Sequence, residues 1–178
     1  MNKPERYCLI HNVGPKKYNK PFINANYNPR EQIQSFDGVL TFDGIYRNIL
    51  ENEDLLANRK SIFFIMGNFV GKDNKFDTGM PLEHYCNWDE LEYLKSKYDI
   101  EFGWHTWSHR DLTKLDKNEI IKECTCPFET DLFAYPYGRF DNRTIEVLKD
   151  LGYKKAFSVH KGNNSDFQIL RPYLHDIL

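Results

Sequence analysis

Short runs rich in β-branched and aromatic residues alternate with amphipathic helical patterns along nearly the whole chain, and that alternation restricts the fold more than any other feature. The strand candidates are Tyr7–Val13, Val39–Phe42, Ser61–Met66, Ile100–Gly103, Asp131–Ala134, Lys155–Val159 and a last one near Ile169–Tyr173. Between them the pattern predicts helices at Ile45–Leu56, Trp88–Lys97, Lys117–Glu123 and Asn142–Leu151. In the last of these, Ile145, Leu148 and Leu151 recur at helical spacing, Asn142 can cap the start, and Gly152 sits where a left-handed terminator belongs. Such a βαβ series folds as parallel strands joined by crossover helices. With 178 residues, no internal repeat and no Ser/Gly linker, the expectation is one domain.

Composition narrows the function classes. A net charge of −2, from 26 acidic and 24 basic side chains spread along the chain, offers no basic field for nucleic acid. No apolar run approaches a membrane span, and the N-terminus has no hydrophobic segment of signal-peptide type, which predicts a cytoplasmic protein without an integral membrane segment. Cys8, Cys86, Cys124 and Cys126 lack zinc-knuckle spacing, so they read as free thiols in a reducing compartment.

In parallel α/β folds, ligands bind beyond the carboxyl ends of the strands. Asp43 follows the second strand candidate, His105 and His109 the fourth, and Tyr135–Gly138 the fifth, so three strand ends deliver chemistry to one face. The spacing of His105 and His109 places both imidazoles on one side of a helical turn, able to grip one ion. Asp43 is the natural third donor, leaving positions open for water and substrate. The competing reading of His105 and His109 is a chance pair on a solvated turn. Asn68 to Asn87 shows neither period and reads as a long loop that frames a site.

The ordered motifs carry a resemblance. Val39-Leu40-Thr41-Phe42-Asp43-Gly44, the strand Ser61 to Gly67, the run from Trp88 through His105-Thr106-Trp107-Ser108-His109 to Asp111-Leu112, Phe133-Ala134-Tyr135-Pro136-Tyr137-Gly138, and Leu151-Gly152-Tyr153-Lys154-Lys155-Ala156-Phe157 together resemble the polysaccharide deacetylase (NodB-homology) family, in its F-A-Y-P-Y-G variant. Leu9-Ile10-His11-Asn12-Val13 resembles the start of some members. The resemblance implies a distorted (β/α) barrel of about seven strands, which so short a chain can leave incomplete or open on one side. It implies hydrolysis of an N-acetyl or O-acetyl group on a sugar, with a divalent metal held by Asp43, His105 and His109. Zinc is expected first, with iron, cobalt or nickel as alternatives.

Two departures stand out. The family's first motif has adjacent aspartates, one a general base and one a metal ligand, whereas only Asp43 precedes Gly44. We assign Asp43 to the ligand role, leaving the base to Asp73, Asp77 or Glu83 of the long loop, or to no residue at all. Leu174-His175-Asp176 resembles the motif carrying the family's general acid, but follows Gly138 too closely, so His175 is either that acid or a surface histidine. Arg171 matches an arginine that faces the site, the alternative being a surface ion pair. Tyr137 maps to the family's backbone oxyanion donor. Tyr135, Pro136 and Trp107 are candidates to line a sugar subsite, although strand-end tyrosines are as often core. Of Trp104 and Trp107, one should pack inside and one near the pocket. His11 reads more readily as a core histidine.

The expected partner is an acetylated sugar, nucleotide-linked, lipid-linked or free, in surface polysaccharide biosynthesis such as lipopolysaccharide or capsule. The rival readings are a saccharide-binding or scaffold protein that has lost turnover with the second aspartate, and a metal-dependent amidase on a nonsugar substrate.

Overall fold

The computed structural model describes residues 5–13, 29–76 and 81–177. Seven strands, β1 (Tyr7–Ile10), β2 (Val39–Asp43), β3 (Ser61–Ile65), β4 (Ile100–Trp104), β5 (Leu132–Ala134), β6 (Lys155–Ser158) and β7 (Ile169–Leu170), lie in sequence order in one sheet. Every neighbouring pair is parallel. The sheet curls until β1 meets the chain beyond β7: Leu9 bridges Tyr173, and its amide donates to the Pro172 carbonyl at 2.9 Å. The result is the nearly closed, distorted barrel expected of about seven strands.

Alternation along the strands divides the side chains into two sets. Val39, Ile62, Phe64, Leu132, Ala134 and Phe157 cluster inside the barrel. Cys8, Leu40, Phe42, Phe63, Phe102, Trp104 and Phe133 belong to the larger core under the helices. The inner set continues upward in steps of two to Thr41 and Asp43 on β2, to Arg171 past β7 and to His105 past β4, so the site is the top layer of the barrel interior. Gly103 makes the layer below possible, because a Cβ there would fall 2.5 Å from the Phe64 ring.

The helices are α1 (Pro29–Ser35), α2 (Trp88–Lys97), α3 (Lys117–Cys124), α4 (Asn142–Asp150) and α5 (Leu174–Ile177). The start of α4 is capped by Asp141, whose carboxylate accepts from Thr144 N–H, one residue earlier than the sequence indicated; Gly152 ends it at φ 90° as anticipated. Ile45–Leu56 is not the single helix expected. Ile45 and Tyr46 are drawn into extended pairing with Cys86 and Tyr85, and only two short 3₁₀ turns follow, Arg47–Glu51 and Glu53–Leu56, broken at Asn52. Among the described residues no helix is long and apolar enough to cross a membrane. Cys8, Cys86, Cys124 and Cys126 are all unpaired thiols.

Candidate active site

The fourth strand ends in a turn whose backbone is held away from its preferred conformations. Thr106 (φ 68°) and His109 (φ 57°) occupy the left-handed region, as does Tyr137 (φ 58°) on the neighbouring fifth strand end. A bulky residue in that region costs on the order of 1–3 kcal/mol and persists only where its surroundings over-determine it. Here they do. The carbonyls of Thr106 and Trp107 accept from Gly67 and Asn68 N–H, at 3.1 and 2.9 Å, and the His109 amide donates to Thr106 Oγ1 at 2.9 Å. Three strained residues converging on one end of the barrel mark that end as a site independently of any motif.

His105 is fully buried, and its Nδ1 lies 2.7 Å from the Ala134 carbonyl. A carbonyl can only accept, so Nδ1 carries the proton. Burial lowers the pKa of His105, against the pull of Asp43, which keeps the ring neutral and leaves Nε2 a lone pair. That Nε2 has no hydrogen-bond partner and stands 3.5 Å from Asp43 Oδ2. His109 packs edge-on against His105, ring centroids 4.9 Å apart, with its buried Nδ1 likewise unpartnered. Burial, then the neighbouring His105, lowers its pKa to about 3.

Asp43 is clamped. Both guanidinium nitrogens of Arg171 donate to its carboxylate, each at 2.7 Å, and Arg171 also donates to Thr41 Oγ1 at 3.1 Å. Burial pushes the Asp43 pKa up, but Arg171 and His105 outweigh it and hold it at about 2. A side chain at the position after Asp43 would be strained and would have to displace its neighbours. Gly44 has φ 63°, and a Cβ there would meet Met66 Cε at 2.3 Å and Tyr85 Cε1 at 2.9 Å, so an apolar plug fills the space.

Of the remaining expected site residues, several land elsewhere than the sequence indicated. Tyr135 is completely buried and donates its hydroxyl to the Phe167 carbonyl at 3.1 Å, so it has no surface to offer a sugar. Pro136 is buried at the start of a 3₁₀ turn. Half-buried Trp107 packs against fully buried Trp104 and donates its indole N–H to the Thr125 carbonyl at 2.9 Å, which makes it a brace of the histidine turn. Arg171 is fully buried and its terminal nitrogens go to Asp43 and Thr41, so it is placed to hold Asp43 and not, as expected, to meet a substrate. His175 lies on α5, stacked on Tyr173 at 5.2 Å and close enough to act on His11. Asp73 is paired with Lys75 at 2.6 Å, the charges acting most on Asp43 are Arg171, His105 and His11, and Asp77 lies outside the described residues.

One residue read as core joins the site, and one aromatic, Phe76, was missed. His11, beyond β1, is held neutral by burial, with a pKa lowered to about 4, and feels Asp43, Arg171 and His105, so it belongs to the site layer. Its position just past a strand end, like that of His105, was the available signal. The exposed aromatics at the mouth are Tyr137, 53% exposed, and Phe76, 42% exposed, standing 4.6 and 5.9 Å from the His109 ring.

The profile of the polysaccharide deacetylase family matches residues 37–156, a span that contains Asp43, both site histidines and Tyr137. The chain belongs to the polysaccharide deacetylase family. A poly-β-1,6-N-acetyl-D-glucosamine N-deacetylase of Staphylococcus aureus is 25% identical over 161 residues, covering 77% of this chain and 54% of its own length. The chain thus spans about half the length of the curated relatives it matches. Among solved structures, the Streptococcus pyogenes deacetylase PplD in complex with acetate superposes with a TM-score of 0.71 at 16% identity, covering 95% of this chain and 91% of that one. The BpsB deacetylase domain from Bordetella bronchiseptica gives 0.69 at 13% identity with 95% of both chains covered, and IcaB from Ammonifex degensii 0.67 at 17% with 94% and 89% covered. At those identities the likeness speaks for the barrel alone.

In this family member two facing donors, His105 Nε2 and Asp43 Oδ2, have the chemistry that a divalent cation takes. Two neutral, buried imidazoles hold nitrogens without partners, and a carboxylate faces one of them. Two ligands of a tetrahedral zinc, each 2.0–2.2 Å from the ion, stand about 3.4 Å apart, the separation found between His105 Nε2 and Asp43 Oδ2. Among the described residues no group of three or more His, Cys, Asp or Glu side chains is arranged to hold a metal ion, so the structure shows two facing donors and not a complete ion site.

Proposed function

We propose that this protein removes an acetyl group from an N-acetylated sugar of a surface polysaccharide or its precursor, using a divalent cation held by His105, His109 and Asp43. The observation that carries the reading is the lone pair of His105 Nε2 facing the Asp43 carboxylate at 3.5 Å. Two acceptors at that distance repel unless a cation or proton lies between them, and burial disfavours the protonated ring. A divalent ion there supplies Lewis acidity toward the acetyl carbonyl and toward water.

The chain's own groups supply the rest. Arg171 fixes the Asp43 carboxylate in the barrel, and the Ala134 carbonyl fixes the His105 tautomer. The Tyr137 amide lies in the first turn of a short 3₁₀ helix, where N–H groups lack intrahelical acceptors, and is suited to donate to the developing oxyanion. The exposed rings of Tyr137 and Phe76, both near His109, offer apolar faces for a pyranose. Proton delivery to the leaving amine falls to His11 or His175, both on the β1 and β7 side of the site. The relatives named for N-acetylglucosamine polymers support an N-acetyl hexosamine as the substrate class.

A second reading has its own observation. Arg171 engages both oxygens of Asp43, and Met66 and Tyr85 fill the place beside it, which favours a site that holds a sugar without turning it over. Purified protein incubated with zinc and N-acetylglucosamine oligomers separates the two. Acetate release that stops in His105→Ala supports the deacetylase, whereas saturable oligomer binding without any release supports the binding module.

A further inference from the structure

Helix α3 carries an acidic side chain where an amphipathic helix ordinarily buries an apolar one. Glu123 lies between Ile120 and Cys124 on the inward face and is only 8% exposed. Its carboxylate forms no ion pair among the described residues, and a buried carboxylate without a counter-charge is costly unless strong hydrogen bonds replace its water. Both of its oxygens go to one residue of the histidine turn. Oε2 accepts from the Ser108 amide at 2.9 Å, and Oε1 accepts from the Ser108 hydroxyl at 2.5 Å. The same helix end takes two further groups of this segment: the Glu123 carbonyl accepts from the Trp104 indole at 2.9 Å, and the Thr125 carbonyl from the Trp107 indole at 2.9 Å.

We infer that Glu123 is the positioning residue of the imidazole pair, holding Ser108 so that His109 stays in its left-handed conformation with its ring against His105. Ser108 is the residue before His109: Glu123 fixes the Trp107–Ser108 peptide plane and the Ser108 side chain, while Thr106 Oγ1 takes the N–H of the next plane, so the two bonds together set the dihedrals that lead into the strained His109. The bonds from Gly67 and Asn68 hold the β3 side of the turn; on the α3 side the Trp107 indole and the exposed Arg110–Glu119 pair flank Ser108, whose own amide and hydroxyl both go to Glu123. The inference rests on the proposed function only in giving the imidazole pair a cation to hold.

Two readouts test it. In metal-free protein, Glu123→Ala is expected to speed amide exchange at Ser108 and His109 at least about tenfold while amides of β3 and β4 keep their rates. Zinc affinity, measured by competition with a chromophoric chelator, is expected to weaken about 10- to 100-fold, the usual loss when a partner behind a ligand is removed. Glu123→Gln keeps one acceptor for the amide and offers its NH2 to the Ser108 hydroxyl, so both readouts should return to within about threefold of wild type. Should Glu123→Ala fail to fold, Ser108→Ala, which loses the hydroxyl bond alone, should still weaken zinc by several-fold.

The inference is overturned if Ser108 exchange in Glu123→Ala stays within twofold of wild type, or if all amides speed up together, which is the mark of a merely structural role. It is also overturned if Glu123→Gln loses as much as Glu123→Ala, or if Ser108→Ala matches wild type. A wild-type protein that binds no zinc would sink the metal reading, while the exchange measurement would still decide the role of Glu123.

Discussion

The two halves of the site are built on opposite plans. On the β4 side, the backbone of residues 105–109 is strained and multiply braced, yet His105 Nε2 and His109 Nδ1 end without partners. On the β2 side, Asp43 is clamped: Arg171 donates one bond to each of its oxygens, and Met66 and Tyr85 pack against Gly44. One half spends hydrogen bonds on the backbone to leave side chains unsatisfied, and the other satisfies the side chain itself. Unsatisfied buried nitrogens on a rigid turn are what a ligand-binding half requires, whereas a clamped carboxylate is fixed in place and keeps only the second lone pair of each oxygen for a further partner. On the proposed function, the contrast gives the imidazoles the part of free donors to a cation and Asp43 the part of a fixed charge.

That contrast can be broken by experiment. The largest effect is expected at His105, where replacement by Ala should bring zinc-dependent acetate release to background while leaving a cooperative unfolding transition; retained activity would break the assignment of the imidazole half. Next, Arg171→Met leaves Asp43 buried without its partner, and urea unfolding should show a loss of about 3–5 kcal/mol. A loss below 1 kcal/mol would mean that the carboxylate half is not clamped. Gly44→Ala forces a Cβ into the left-handed region against Met66 and Tyr85, with an expected cost of about 1–3 kcal/mol in the same assay. The smallest effect belongs to Tyr135→Phe, which removes one buried hydrogen bond, costs about 1 kcal/mol and leaves the KM for an acetylated oligomer unchanged. A raised KM would restore Tyr135 to the sugar subsite.

Parallel strands and the strand ends that carry Asp43 and His105 were legible in the sequence, because the βαβ rhythm is a local signal, and the barrel class followed from the family resemblance. What the sequence hid was direction and partnership. Tyr135 and Tyr137 are neighbours but one, and only the left-handed backbone at Tyr137 turns its ring outward while Tyr135 goes to the core. Arg171 was expected to face the site, but that it would be consumed by Asp43, 128 residues away, depends on barrel closure. Ile45–Leu56 has helical spacing, yet pairing of Tyr46 with Tyr85 across a long loop overrides local preference. Glu123 gave no signal beyond its place in an amphipathic helix, since its partner lies 15 residues back in the turn.

The most direct test is a crystal of the protein grown with zinc and measured at the zinc absorption edge. The account predicts an anomalous peak within about 2.0–2.2 Å of a ring nitrogen of both His105 and His109, with Asp43 beside it and still gripped by Arg171. No peak at that place under saturating zinc, with the two imidazoles turned apart, would contradict it.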